Sequence, residues 1–183
     1  MRITILNGNS DRENSFFETY LEDVHKHLES RKHSVSHRRL RELDIKPCRG
    51  CFGCWLKTPG LCVVPDDTDL LRRDIVQSDL VLLASPLKMG FISALLRRAV
   101  EKMIPLVLPH LKIVNGEFHH RVRYNHLPVM AGLVQEEGDT TAEDLDIMKN
   151  IFLRNALNLG TEFNGLLLTS SPLEVTVNAL DRP

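Results

Sequence analysis

The chain lacks an excess of charge of either sign. Lys and Arg number 23 against 24 Asp and Glu in 183 residues, a formal charge of −1. Nucleic-acid binders carry a basic surplus and charge-steered electron shuttles an acidic one, so neither class is expected. A long apolar run is also missing. The longest, around Leu80 to Ser85, falls far short of the roughly 20 residues a bilayer-spanning helix requires. No charged segment, apolar stretch and cleavage site open the sequence, which passes directly into the strand-like Ile3 to Leu6. Linkers, internal repeats and low-complexity tracts are absent too. What remains is ordinary for a globular chain: 43% hydrophobic and 26% charged residues, enough for one domain, 1–183, with its own core. The expectation is a cytoplasmic enzyme or binding protein with no membrane and no nucleic-acid partner.

Cysteine is missing from all but one short segment, where Cys48, Cys51, Cys54 and Cys62 crowd together. A secreted disulfide framework spreads its half-cystines to staple distant parts, which these cannot do. The spacing C-x2-C-x2-C-x7-C lets successive sulfurs turn toward one centre, and soft ligands favour zinc or an iron–sulfur cluster. The same cysteine-rich loop, residues 47–67, with Gly50 and Gly53 inside it, is also compatible with free thiols on a tight buried turn.

Periodicity alternates strand and helix along the chain. Residues 2–7 read as a strand. Phe17, Tyr20, Leu21, Val24 and Leu28 recur at helical spacing, so 15–31 is a helix, with Ser15 and Glu18 as a capping box. A polar edge strand follows at 34–41, then the cysteine loop and a helix at 67–77. The continuous apolar run 79–84 fits a strand buried on both faces. A helix spans 90–104 and an excursion of weak pattern 110–127. A strand at 128–134, a helix at 141–159 and a strand at 163–169 complete the series. Helices between apolar strands imply βαβ units. The expected fold is α/β, a flavodoxin-like three-layer sandwich with a five-stranded parallel sheet in order 2-1-3-4-5 and ligands at the carboxyl ends of its strands. Only Ser170 to Pro183 remains for a closing helix, which should be short or absent. Incomplete cover of one sheet face, made good by a partner subunit, is therefore expected.

Two loops would meet at that carboxyl edge. Gly8 to Ser15 brings glycine, hydroxyl and amide groups to a helix N-terminus, which suits an anion, although Asn14 and Ser15 are equally good helix caps. Ser85 to Gly90 leads from the third strand back toward a helix near Ser93, and its backbone groups suit the polar edge of a flat heterocycle.

The segment Pro47-Cys48-Arg49-Gly50-Cys51-Phe52-Gly53-Cys54, followed by Gly60, Cys62, Asp66 and Asp67, resembles the cysteine-loop signature of flavodoxin-like NAD(P)H-dependent FMN reductases and of their iron–sulfur flavoprotein branch. Ser85-Pro86-Leu87-Lys88-Met89-Gly90-Phe91-Ile92-Ser93-Ala94-Leu95-Leu96 resembles that family's second FMN loop, and Gly8 to Ser15 is similar to its phosphate loop. The resemblance implies FMN, with its phosphate near Asn9, Ser10, Arg12, Asn14 and Ser15 and its ring edge on Ser85, Pro86, Leu87, Lys88, Met89 and Gly90. Gly132 and its neighbours would form a third loop. NAD(P)H would serve as co-substrate, a quinone, flavin or other small molecule as acceptor, and a homodimer or homotetramer as the working form. The cofactor carries the chemistry, so no catalytic side chain is expected. For the cysteines the resemblance implies a [4Fe-4S] cluster as an alternative to zinc. Lys88 stands where the family commonly has an aromatic residue, and Asp11 interrupts the usual phosphate loop. These departures keep open a third reading, a flavodoxin-fold binding protein with a decayed flavin site.

The histidines suggest no metal. His25, His27, His33 and His37 read as surface residues, and His119 and His120 would point apart on a strand. Arg38, Arg39 and Arg41 suit either the extra phosphate of NADPH or a solvated edge strand.

Overall fold

In the computed structural model, which describes residues 1–181, a central parallel sheet is wound by helices on both sides. The first half comprises β1 (Arg2–Asn7), α1 (Ser15–Ser30), β2 (Ser34–Arg39), α2 (Gly53–Leu56), α3 (Thr68–Gln77), β3 (Leu80–Lys88), β4 (Phe91–Ile92) and α4 (Ala94–Glu101). The second comprises β5 (Val107–Val114), β6 (Glu117–Val122), β7 (Val129–Gln135), α5 (Ala142–Leu159), β8 (Phe163–Leu168) and α6 (Leu173–Leu180). The main path is β2-β1-β3-β7-β8, the expected five-strand order once the hairpin strands are set aside. Ile5 pairs with Leu82, and Leu82 with Ala131, across three parallel strands.

β3 is central because it can be: Leu80 to Leu87 are all buried, so both of its faces are apolar. Alternate residues feed two cores. Ile3, Ile5, Leu80 and Leu82 meet Phe17, Leu21, Val24 and Leu28 of α1 on one face. Leu6, Val81 and Leu83 meet Leu71 and Ile75 of α3, Leu96 of α4 and Phe152 of α5 on the other. The 4-3-4 spacing on α1 puts its four residues on one stripe, and each is fully buried.

The closing helix is short, as expected: the eight-residue α6 buries Thr176, Val177 and Leu180 and is held to α1 through Tyr20 Oη and Thr176 Oγ1 at 2.8 Å. It covers part of that sheet face from within the chain, while β8 stays half-buried along its length. Three expectations are corrected. The excursion is a β-hairpin, β5–β6, turned by Asn115 and Gly116 with φ of 51° and 82°, the left-handed pair that a two-residue turn requires. The helix expected from residue 90 starts at Ala94 with Ser93 as its cap, because the chain first folds back through β4. Finally, α1 is capped by Asn14, whose Oδ1 accepts from the Phe17 N–H. Glu18 is engaged elsewhere.

Candidate active site

The carboxyl ends of β1, β3 and β7 are neighbours, with Asn7 beside Ala84 and Ser85 beside Val134. Three loops leave this edge. In the first, the Gly8 N–H donates to the Ala84 carbonyl at 2.8 Å and the Gly8 carbonyl accepts from Ser93 Oγ at 2.5 Å. A Cβ on Gly8 would stand 2.6 Å from Leu96 Cβ, so only glycine allows this approach. Beyond it the loop is a chain of side-chain turns. The N–H of Asn9 donates to Asn7 Oδ1, that of Asp11 to Asn9 Oδ1, and that of Glu13 to Asp11 Oδ1. The intervening N–H groups of Ser10, Arg12 and Asn14 meet no acceptor among the described residues. Free N–H groups at alternate residues before a helix N-terminus are donors an anion can accept from. The donor set therefore fits a phosphate, and the Asp11 carboxylate, turned back on its own loop, does not block it.

The sequence-named residues do different work there. Ser10, Arg12 and Ser15 are exposed. Asn9 is fully buried, with its amide donating to Glu18 Oε1 at 2.8 Å. Asn14 Nδ2 donates to Gln135 Oε1 at 2.7 Å and ties the first loop to the third.

The second loop is tighter than expected. β3 runs on through Lys88 and turns back at Met89 and Gly90, with φ of 54° and 75°. Ser85 is buried, its hydroxyl donating to the Pro86 carbonyl and accepting from the Ser93 N–H. Leu87 belongs to the core, while Lys88 and Met89 project into solvent. The third loop is displaced from its expected place. Gly132 lies inside β7, where a Cβ would meet Phe152 and Leu166 at 2.9 Å; its role is packing. The loop itself begins at Gln135, and Glu137 Oε2 accepts from the Met89 N–H at 2.7 Å. Loops one and three, and loops two and three, are thus joined around the crevice. An open cavity of about 370 Å³ at this edge is lined by Phe16, Gln135, Glu136, Thr169 and Ser170.

Beneath the first loop sits a cluster that sequence reasoning missed. Glu18 accepts from Asn7 at 3.1 Å, Asn9 at 2.8 Å, Arg41 at 2.5 Å and Arg39 at 3.2 Å. Burial works to raise its pKa, but the hydrogen bonds from Arg41, Asn9 and Asn7 prevail and hold it at about 2. Arg41 also donates to the Asn9 carbonyl. Arg38 pairs with Asp74 at 2.6 Å and Arg39 additionally with Glu22 at 2.8 Å. All three arginines of the basic run are therefore engaged within the chain. His37 is half-buried at an open cavity with Glu22, His25 and Arg39; burial, then the Arg39 charge, lower its pKa to about 4. His33 is buried against Asp181. His119 and His120 do point apart, the first to Asn158 and Glu117, the second to the Leu108 carbonyl.

The four cysteines line one small cavity of about 30 Å³ between the cysteine loop and the end of α4. All are free thiols. Burial and then the Cys62 sulfur push the Cys54 thiol above its ordinary pKa. Lys102, only 3% exposed, donates to Cys62 Sγ at 3.1 Å and pairs with buried Asp66 at 2.8 Å. Among the described residues no three metal-ligating side chains are already drawn together around an ion position. The all-sulfur donor set nonetheless fits a soft metal centre.

A parallel sheet in this order is a flavodoxin-like fold, in which ligand crevices lie at the carboxyl ends of the strands. The profile of the NADPH-dependent FMN reductase family matches residues 1–155, and the chain belongs to that family. A curated relative, an iron-sulfur flavoprotein of Archaeoglobus fulgidus, is 35% identical over 80 residues, 44% of this chain and 36% of that protein. The match thus spans about a third of that relative's length. Among solved structures, RosB with a bound 8-demethyl-8-formylriboflavin-5'-phosphate intermediate aligns at a TM-score of 0.66 and 17% identity, covering 92% of this chain and 64% of that one. An NAD(P)H:quinone oxidoreductase from Methanothermobacter marburgensis aligns at 0.66 and 16%, covering 98% and 92%. These likenesses share the fold. Among the described residues no helix is long and apolar enough to cross a membrane.

Proposed function

We propose that the protein is an FMN-dependent NAD(P)H oxidoreductase that reduces a quinone, a flavin or another small acceptor in the cytoplasm. The observation that carries this reading is the set of unpaired N–H groups at Ser10, Arg12 and Asn14, held beside the β3–β4 turn by the Gly8–Ser93 and Asn14–Gln135 contacts. The first loop and the Arg12 side chain bind the phosphate. The backbone from Pro86 to Gly90 positions the ring edge, and exposed Lys88 places a cation beside it. FMN bound there supplies hydride acceptance from the nicotinamide and delivery to the acceptor. The chain's own part is to bind and orient.

Arg12→Ala tests this. It removes one charge-assisted hydrogen bond to the phosphate and should weaken FMN binding about tenfold in a flavin-fluorescence titration. FMN binding unchanged in this variant would refute the placement. A homodimer or homotetramer belongs to the proposal. Leu111, Ile113 and Phe118 on the hairpin are exposed apolar side chains that supply contact surface, and light scattering tests it.

A second reading is favoured by one observation, the four cysteines gathered on one cavity beside Lys102. In it the protein is an iron–sulfur flavoprotein, with Cys48, Cys51, Cys54 and Cys62 holding a [4Fe-4S] cluster. Iron and sulfide assays on anaerobically purified protein decide between the two, and zinc in place of both elements would refute the cluster.

A further inference from the structure

Three of the four cysteines follow one another closely, but Cys62 stands eight residues beyond Cys54 and has to be brought back to them. Local contacts do this. The Gly60 N–H donates to the Cys54 carbonyl at 3.0 Å, and the Thr58 hydroxyl to the Leu61 carbonyl at 2.9 Å. A Cβ on Gly53 would stand 2.6 Å from Val63 Cγ1, so the residue after Cys62 packs directly on the residue before Cys54. Cys62 thereby reaches the cavity that the other three cysteines line.

A buried cation forms part of the same wall. Lys102 follows the last residue of α4, its own N–H donating to the Arg98 and Ala99 carbonyls, and its side chain is 3% exposed. The ammonium gives one hydrogen bond to Asp66 Oδ2 at 2.8 Å and another to Cys62 Sγ at 3.1 Å. Asp66 is itself fixed: it accepts from the Lys46 N–H at 3.2 Å, the Thr68 N–H at 3.0 Å and the Thr68 hydroxyl. Arg72, also buried, donates to Thr68 Oγ1 at 2.9 Å and to the Lys102 carbonyl at 3.1 Å, which braces both partners. Burying an ammonium is costly unless its donors meet strong acceptors. Asp66 is one. A thiol sulfur is a weak acceptor, whereas a metal-bound thiolate carries charge and is a strong one.

We propose that Lys102 is the positioning residue of the four-cysteine centre. Its ammonium holds Cys62 as the fourth sulfur ligand and raises the reduction potential of the cluster. The inference rests on the iron–sulfur reading of the cysteines and assigns Lys102 a role within it. Taking up one electron adds one negative charge to the cluster and its thiolates. A cation hydrogen-bonded to one of those sulfurs stabilises the more negative state more, and so favours reduction.

Replacing the pair together, Lys102→Met with Asp66→Asn, removes the ammonium without stranding the buried carboxylate. Wild type and variant are purified anaerobically and reconstituted with ferrous iron and sulfide. Each is then titrated with dithionite through redox mediators, and the reduced cluster is followed by electron paramagnetic resonance. The expected result is a cluster in both. At a fixed potential the ratio of reduced to oxidised cluster should be about tenfold lower in the variant, about 59 mV for one electron. Lys102→Gln keeps a neutral donor and should shift the same way by less; it supplies the comparison if the pair variant assembles no cluster. A potential unchanged or raised in both variants overturns the assignment of Lys102 and leaves the cluster in place. A wild-type chain that takes up no iron and sulfide overturns the iron–sulfur reading, and the assignment with it.

Discussion

Replacing Glu18 by Gln should expose how the first loop, Gly8 to Asn14, is held. The carboxylate is 14% exposed and accepts hydrogen bonds from Asn7, Asn9 and two arginines. A carboxyl held at about 2 instead of 4.5 corresponds to roughly 3 kcal/mol at full strength. Solvent screening at a partly open site reduces this to about 1–2 kcal/mol. Because the folded pKa is depressed, the stabilisation is fully present above pH 4.5 and drains away as the pH falls toward about 2. Urea unfolding of wild type and Glu18→Gln should therefore differ by about 1–2 kcal/mol near neutrality, with the difference shrinking across that acid window. Taking the difference between the two proteins cancels the titration of the remaining carboxyls. A difference that stays constant through the window, or none at neutrality, would refute the reasoning. The glutamine amide cannot pair with Arg41 as the carboxylate does, so the loop loosens and FMN affinity should fall with stability.

Three further perturbations separate the parts of the molecule. Gly8→Val drives a side chain into Leu96 Cβ, Ser93 Oγ and the Ala84 carbonyl; overpacking of this kind should cost about 1–3 kcal/mol in thermal unfolding and abolish FMN binding in a fluorescence titration. Lys102→Met leaves Asp66, 1% exposed, without its partner and should cost about 3–5 kcal/mol in urea unfolding. The pair Lys102→Met with Asp66→Asn should recover at least half of that loss. Cys54→Ser should leave FMN binding intact in the flavin titration. If the cysteines hold a cluster, the same variant should lower the iron content of anaerobically purified protein severalfold.

The parts of the fold legible in the sequence are those where one face is buried. Phe17, Leu21, Val24 and Leu28 write a helix because the sheet covers their stripe, and Leu80 to Leu87 write a central strand because both faces are covered. The hairpin was illegible for the opposite reason: Leu111, Ile113 and Phe118 are exposed, so no alternation of buried and polar residues marks the strands. The turn at Met89 and Gly90 was hidden because a methionine occupies a left-handed position with no local signal for it. In the site, the loop from Gly8 to Ser15 was legible as the segment that leaves the carboxyl end of the first strand. Glu18, Arg41, Lys102 and Asp66 were not. Their contacts join residues 23 and 36 positions apart, and such pairings leave no periodic trace. Gln135 and Glu137 were passed over in favour of Gly132, yet they were recoverable: the third loop must start where β7 ends, and glycine inside an apolar run more often serves packing.

The central claim is that flavin is bound at the β1, β3 and β7 loop edge and reduced by nicotinamide. The most direct test is the visible spectrum of protein purified without oxygen and saturated with FMN, before and after NADPH is added. A bound-flavin band that bleaches with NADPH and returns when a quinone is supplied is the predicted result. A colourless protein that leaves added FMN free in solution, or a bound flavin that neither NADPH nor NADH reduces, would contradict it.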